Sequence, residues 1–246
     1  MSKIINKYND KSIQIITMPR SGSKYIRKII SLANKTPNIQ ISEPFRNGYV
    51  KIINSSEKKI KTNINYLNKK INDKCSLILK EYISSKYVVK NLIYKNTLNF
   101  INDPLYYNIL LLRLDLFEMS LSLSLSKTSN NWEFKDYNKY YINILLFKDN
   151  LDFYLQSYKL LLELNIKFDS IIFYEDLTNN LNDDLALLDF STNKKFDTLK
   201  DKSLPKEENI INLEELKIFY DKYIKTTDIN FINYKLKDID DSIIIR

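Results

Sequence analysis

The chain has 246 residues, of which 44% are hydrophobic and 28% charged; this excludes an intrinsically disordered protein and is sufficient for a buried core. Its formal charge of +8 predicts a surface that attracts anions such as nucleic acids, acidic glycans or nucleotide phosphates. The sequence contains no histidine, which excludes the commonest general base. Its single cysteine, Cys75, cannot form an internal disulfide or a thiolate zinc site.

The first part of the chain alternates short apolar runs with helical patterns. This is typical of an α/β protein with a mainly parallel central sheet and helices on both faces. The pattern predicts a strand at 13–17, a helix at 23–33, a short strand at 39–41 and a lysine- and asparagine-rich helix at 55–74.

The second part predicts five further elements. They are a buried central strand at 107–112, helices at 116–126 and 140–164, a strand at 170–174 and an amphipathic helix at 212–223. Asn212 and Glu215 have the spacing of a capping box at the start of the last helix. Because no linker rich in Pro, Gly or Ser divides the sequence, we expect a single domain over 1–246.

The segment SLSLSLS gives two conflicting signals. Its alternation of serine and leucine has the period of a half-buried strand. However, Asp115 and Glu118 stand three residues apart, as in a capping box, and Phe117, Leu121 and Leu125 recur every four residues. We therefore predict a helix.

The apolar runs are too short to cross a membrane, because charges interrupt them well before the roughly 20 residues that a spanning helix needs. The first residues, MSKIINKYNDKS, lack the apolar core of a signal peptide. We therefore expect a soluble intracellular protein of the cytoplasm, without a membrane partner.

The stretch PRSGS, after the first strand, predicts an anion site. A strand that leads through a glycine turn into a helix directs the free N–H groups of the first helical turn to one point, where the helix dipole also favours negative charge. Gly22 allows a close approach, while Ser21 and Ser23 add hydroxyl donors. Arg20 and Lys24 add positive charge. A tight turn without a ligand is an equally good interpretation of this segment alone.

The PRSGS stretch resembles the 5′-phosphosulfate-binding loop of the sulfotransferase family, P-[KR]-S-G-T-T followed by an aromatic or aliphatic residue and a helix. The match consists of Pro19, Arg20, Ser21, Gly22, Ser23 and Tyr25. The resemblance implies a three-layer, P-loop-like sulfotransferase fold that binds 3′-phosphoadenosine 5′-phosphosulfate (PAPS) as co-substrate, without a metal. It implies that residues 20–25 bind this nucleotide. Lys24 departs from the family pattern, which has a hydroxyl residue there.

The segment NIQISEPF resembles the short strand of the family that ends in the catalytic base, and this resemblance implies that Glu43 is the base. Pro44 favours an extended backbone at Glu43, so the side chain can project from the end of the strand. A carboxylate close to cations is ionised at pH 7 and can accept a proton. The alternative is a surface glutamate in a loop.

The segment YNILLLRLDLFEMSLSLSLS resembles the 3′-phosphate signature, in which a buried strand delivers an arginine and the next helix a serine. The resemblance implies Arg113 and Ser122, although they stand one residue further apart than is usual, so that Ser120 is an alternative. An arginine at the end of a buried strand needs an anionic partner. An ion pair with Asp115 or Glu118 would also satisfy it.

The segment SIIFYEDLT resembles a late strand of the family, in which we take Glu175 and Asp176 to be mainly structural. Lys194 and Lys195 stand where the family has a basic loop over the nucleotide, but the usual R-K-G form is missing.

Taken together, these resemblances imply sulfuryl transfer from PAPS to a hydroxyl or amine of a carbohydrate, a small molecule or a protein. Glu43 would act as base and Arg20 would stabilise the leaving nucleotide. Three alternatives remain open. One is a magnesium-dependent nucleotide kinase with a shortened loop, and another is a basic RNA- or DNA-binding protein, for which the sequence has no recognised motif. The third is a sulfotransferase fold that has lost activity, which Lys24 and Leu114 would explain.

Overall fold

The computed structural model describes residues 12–33, 38–42, 76–82, 102, 104, 106–131, 138–163, 167–177 and 206–227. Within these ranges the protein is α/β, with one parallel sheet and four α-helices. The chain divides into two compact units. The first unit comprises Met1–Leu112 and Asn165–Leu199, and the second comprises Arg113–Leu164 and Lys200–Arg246. A single domain over 1–246 stays a prediction.

The first unit contains a five-stranded parallel sheet. Its strands are β1 (Ser12–Thr17), β2 (Asn38–Ser42), β3 (Ser76–Tyr82), β4 (Tyr106–Leu112) and β5 (Ser170–Phe173), in the order β2-β3-β1-β4-β5. All four strand pairings are parallel, so the carboxyl ends of the strands lie at one edge of the sheet. The central strand β1 therefore ends between the ends of β3 and β4.

Helix α1 (Ser23–Ala33) begins after a tight turn that follows β1. Ile26, Ile29 and Ile30 of this helix are fully buried in one apolar cluster. The sheet side chains of that cluster are Ile13, Ile15, Tyr107, Ile109, Leu111 and Ile172. Because burial of each isoleucine contributes about 1.5–3 kcal/mol, this cluster fixes the direction in which α1 leaves the turn. β1 and β4 are buried along their whole length, which explains the nearly continuous apolar sequence of β4; β1 also buries the polar residues Ser12, Gln14 and Thr17.

The second unit contains helices α2 (Leu116–Ser129), α3 (Ile144–Glu163) and α4 (Leu213–Lys225). α2 begins after Asp115, whose carboxylate accepts a hydrogen bond from the Glu118 amide at 2.9 Å. α3 begins after Asn143, whose side-chain oxygen accepts from the Leu145 amide at 2.8 Å. One apolar cluster joins the three helices through Leu121, Leu125, Ile142, Phe147, Ile210 and Leu216. None of the described helices is long and apolar enough to span a membrane.

The helical interpretation of SLSLSLS is confirmed, because the whole segment lies within α2. All four of its serines are buried. A helix can bury them because a serine hydroxyl is small, and two of the four hydroxyls have these partners nearby: Ser126 donates to the Ser122 carbonyl at 2.8 Å, and Ser124 accepts from the Asn150 side chain at 2.7 Å. The serines therefore form part of the interior of the second unit and not an exposed face.

Three details differ from the sequence prediction. The strand β3 is not predicted, because Lys80 and Glu81 interrupt its apolar run. α3 begins at Ile144 and not at 140, since Tyr140 forms a parallel bridge with Ile210. Asn212 precedes α4 but makes no side-chain cap there. The predicted helix at 55–74 lies outside the described residues.

The Asn212 side chain bonds to the backbone of another segment instead of capping α4. Its oxygen accepts from the Ile142 amide and its nitrogen donates to the Ile142 carbonyl, both at 3.0 Å. The amide group thus extends the bridge between Tyr140 and Ile210 by imitating a further backbone peptide. The same side-chain nitrogen also donates to the Glu215 carboxylate at 3.1 Å, so the two residues of the predicted capping box are in contact although Asn212 makes no backbone cap.

Candidate functional site

The turn between β1 and α1 has two residues in the left-handed region of the backbone. Arg20 has a φ of 64° and Gly22 a φ of 78°. A non-glycine residue in this conformation costs about 1–3 kcal/mol, and such strain is found mainly at functional sites. A turn that contains left-handed residues directs successive N–H groups to one side, which is the arrangement of anion-binding concavities. The loop at PRSGS therefore has the backbone shape that an anion site requires.

The first turn of α1 adds hydrogen-bond donors at the same place. The Gly22 carbonyl accepts from the Tyr25 amide at 2.9 Å and from the Ile26 amide at 3.2 Å. The amides of Gly22 and Ser23 thus precede the first hydrogen bond of the helix, where the backbone has no intrahelical acceptor. The positive end of the helix dipole lies at the same point. An anion next to Gly22 would therefore be stabilised by these amides and by the helix dipole.

Gly22 is also required by a neighbouring side chain. A Cβ atom built on Gly22 would lie 2.5 Å from the Cδ2 and Cε2 atoms of the Tyr174 ring. Tyr174 follows β5 directly and belongs to the short 3-10 helix Tyr174–Asp176. The carboxyl end of β5 therefore covers one side of the loop, and no residue with a side chain fits at position 22 without movement.

The two loop serines are both buried but differ in their contacts. Ser21 is fully buried, and its hydroxyl bonds to the Met18 carbonyl at 2.7 Å and to the Thr17 hydroxyl. The predicted hydroxyl contact of Ser21 with a ligand would therefore compete with these internal hydrogen bonds. Ser23 is the first residue of α1 and is 5% exposed. The amide groups of these two serines remain suited to anion binding.

The charged and aromatic residues of the loop have different exposures. Arg20 is half-buried and Lys24 exposed. Tyr25 packs against the apolar cluster of the sheet and α1. Its ring therefore helps to attach the helix to the sheet, so a contribution to ligand binding would be in addition to that packing.

The predicted 3′-phosphate residues belong to the second unit, whereas residues 20–25 belong to the first. The Arg113 side chain is 11% exposed, and its Nη2 atom lies 3.9 Å from the Glu118 carboxylate. This distance is longer than a hydrogen bond, so the contact between Arg113 and Glu118 is a loose ion pair. The hydroxyl of Tyr158 donates to the Arg113 carbonyl and fixes its backbone.

The serines near Arg113 also have defined positions. Ser122 is 2% exposed, and Ser120 is fully buried. Among the described residues, the Ser120 hydroxyl oxygen has no hydrogen-bond partner. Glu43, Lys194 and Lys195 lie outside the described residues, so their roles stay predictions.

A second group of titratable side chains joins α3 to α4. The Asp152 carboxylate lies 2.7 Å from Lys148 Nζ and accepts a hydrogen bond from the Tyr223 hydroxyl. Partial burial acts to raise the pKa of Asp152, but the two hydrogen bonds outweigh it and hold the pKa below its ordinary value. The bond to Asp152 raises the pKa of Lys148, and burial with the same carboxylate raises that of Tyr223. All three pKa shifts favour an ionised Asp152, a charged Lys148 and a neutral Tyr223. The group therefore stabilises the contact between α3 and α4.

Three residues that the sequence did not suggest support the loop in the structure, namely Thr17, Leu111 and Tyr174. Thr17 donates a hydrogen bond to the Leu111 carbonyl at 2.9 Å. The signal available in the sequence was a hydroxyl residue at the end of an otherwise apolar strand. Tyr174 gave no such signal, because its partner is a glycine far away in the chain.

In the described part of the chain, no group of three or more acidic or cysteine side chains lies close enough to hold a metal ion. The chain matches no family model, no curated protein and no solved structure. The loop and the sheet that carries it are therefore the features of the protein that bear on its function.

Proposed function

We propose that the protein is a sulfotransferase that uses PAPS and transfers its sulfuryl group to a hydroxyl or amine. The observation that supports this most is the position of the PRSGS loop in the sheet. The strand that follows β1 in the chain, β2, lies at one edge of the sheet, while β5, which follows the neighbouring strand β4, lies at the opposite edge. Ligands of open parallel sheets bind at the carboxyl ends of two such strands, where the connections diverge.

The loop has the chemistry that a phosphosulfate group needs. The amides of Gly22 and Ser23, with the dipole of α1, would bind the oxygens of the 5′-phosphosulfate. Arg20 and Lys24 would supply positive charge. The left-handed conformation of Arg20 supports this role, because a strained backbone at a cation is easier to explain at a binding site than in an ordinary turn.

In the proposed reaction the acceptor oxygen or nitrogen forms a new bond to sulfur as the bond from sulfur to the bridging oxygen breaks. The proton of the acceptor passes to Glu43, and the electron pair of the broken bond stays on the phosphate oxygen of 3′,5′-adenosine bisphosphate. Arg20 would stabilise that oxygen, an effect that in enzymes is worth about 3 kcal/mol. Positioning and electrostatics would supply the catalysis without a metal.

Arg113 and Ser122 would bind the 3′-phosphate of the nucleotide. The low exposure of Arg113 supports this assignment, because a phosphate can bind a guanidinium through two parallel hydrogen bonds. The proposal extends to a three-layer sulfotransferase fold and to a carbohydrate, a small molecule or a protein as acceptor. The positive charge of the chain favours an acidic acceptor.

The proposal is tested by calorimetric titration and thermal shift with 3′,5′-adenosine bisphosphate in the absence of metal, against ATP with magnesium. A ligand at a hundred times its dissociation constant stabilises the folded state by about 2.7 kcal/mol. We expect the bisphosphate to bind without metal and more tightly than ATP with magnesium. Preference for ATP with magnesium would instead indicate a kinase, and binding of neither would refute both.

A further inference from the structure

A chain of two buried hydroxyl groups connects the PRSGS loop to the neighbouring strand β4. Thr17 is 1% exposed and Ser21 fully buried. The Thr17 hydroxyl contacts the Leu111 carbonyl at 2.9 Å, the Ser21 hydroxyl contacts the Met18 carbonyl at 2.7 Å, and the two hydroxyls contact each other. Thr17 and Leu111 are also directly opposite each other in the parallel pair of β1 and β4.

The number of hydroxyl protons limits how many of these contacts can be hydrogen bonds at the same time. Two hydroxyl groups carry two protons, whereas the geometry contains four oxygen-to-oxygen contacts, because the Thr17 hydroxyl also lies 3.4 Å from the Met18 carbonyl. If Ser21 donates the proton shared by the two hydroxyls, Thr17 donates to the Leu111 carbonyl; if Thr17 donates it, Ser21 donates to the Met18 carbonyl. In both arrangements Thr17 is bonded to Ser21, and in the first of them Thr17 also joins Ser21 to β4 through the Leu111 carbonyl.

We propose that Thr17 is the positioning residue of the PRSGS loop. Its hydroxyl joins Ser21 to the Leu111 carbonyl, and this connection holds the amides of Gly22 and Ser23 in the arrangement that binds a phosphate or phosphosulfate. The inference rests on the proposed function for the identity of the anion, but the connection itself belongs to the free protein.

The location of Ser21 explains why this bond would control the loop. Ser21 lies between Arg20 and Gly22, the two residues of the loop with left-handed backbone. A left-handed arginine is unfavourable on its own, so neighbouring contacts must hold it in place. Because Ser21 is excluded from solvent, water cannot replace a lost hydroxyl partner there. Loss of the Thr17 hydroxyl would leave Ser21 bonded to the Met18 carbonyl within the loop and would remove its connection to the side chain of β1 and to β4.

The first measurement is the dissociation constant of 3′,5′-adenosine bisphosphate for three variants of β1. Thr17→Val removes the hydroxyl and keeps the shape, and we expect it to weaken binding by about fivefold or more. Thr17→Ser keeps the hydroxyl and should remain within about twofold of the unmodified protein. Ile16→Val removes a methyl group from the adjacent buried residue, so it controls for a general loss of stability and should leave the dissociation constant unchanged.

The second measurement is amide hydrogen exchange of residues 21–24 in the protein without ligand. Thr17→Val should accelerate exchange at these amides by about tenfold or more, while Thr17→Ser and Ile16→Val should not. If Thr17→Val leaves the exchange of these amides unchanged, the inference is wrong whether or not the bisphosphate binds. If exchange is accelerated in Thr17→Val but the unmodified protein does not bind the bisphosphate, the role of Thr17 in holding the loop is supported and the proposed ligand is rejected.

Discussion

The ring of Tyr174 occupies the space that a side chain at Gly22 would need, with two ring atoms 2.5 Å from the ideal Cβ position. The backbone of Gly22, with a φ of 78°, excludes most other residues independently. These two restrictions have separate causes, so their effects can be separated by mutation.

We expect Gly22→Ala to lower the free energy of unfolding by more than the roughly 1–2 kcal/mol of left-handed strain alone, because the clash with Tyr174 adds to it. Urea denaturation measures this loss. The double variant Gly22→Ala/Tyr174→Ala is compared with Tyr174→Ala alone. In this background, where the ring is absent, Gly22→Ala should lower the free energy of unfolding only by the roughly 1–2 kcal/mol of left-handed strain. An equal effect in both backgrounds would show that the ring does not restrict position 22.

Substitution of two buried serines on α2 should have opposite effects on stability. Ser120→Ala removes a hydroxyl that has no hydrogen-bond partner among the described residues, so it should be neutral or stabilising by up to about 1 kcal/mol. Ser124→Ala deprives the Asn150 side chain of its acceptor and should cost about 1–3 kcal/mol. The urea midpoints of the two variants give the comparison, and equal losses would contradict it.

Asp152 should make the second unit sensitive to acid. Its folded-state pKa is lowered from the ordinary value of 3.8, so its contribution is complete above that pH and is lost as the pH falls through the folded-state pKa. We expect the stability of Asp152→Asn to depend less on pH below about 4 than that of the unmodified protein. Unfolding curves at several acid pH values measure this, with Asp149→Asn as an exposed control on the same helix. The same slope in Asp152→Asn and the unmodified protein would refute the assignment.

The proposed chemistry predicts that Arg20→Ala and Glu43→Gln each reduce turnover about a hundredfold or more without loss of the fold. The rate of formation of 3′,5′-adenosine bisphosphate from PAPS in the presence of an acceptor measures this. Glu175→Gln, which changes an exposed carboxylate after β5, is the matched control and should retain the rate. Normal turnover in Glu43→Gln would exclude Glu43 as the base.

The elements that periodicity defines were predictable from the sequence. α1 begins and ends where its pattern of Ile26, Ile29 and Ile30 predicted, because a helix next to a parallel sheet must bury one continuous apolar stripe. α2 was also recognised despite its serines, since Asp115 caps it as expected. Local sequence contained enough information in both cases.

The contacts between distant segments were not predictable. The partner of Thr17 is Leu111 on another strand, and the partner of Asn212 is Ile142, far away in the sequence. The sequence around Asn212 is the same whether its side chain caps α4 or bonds to a distant backbone group, so it cannot distinguish the two. The loop motif therefore suggested which residues to consider, whereas the hydroxyl chain behind it follows from strand order and register.

The left-handed backbone of Arg20 has a consequence for the engineering of this protein. Glycine adopts that conformation without penalty, so a library screened only for heat resistance should enrich glycine at position 20. The same library screened for capture of a nucleotide should restore the cation. Disagreement between the two screens at one position would separate what keeps the molecule folded from what it has been shaped to hold.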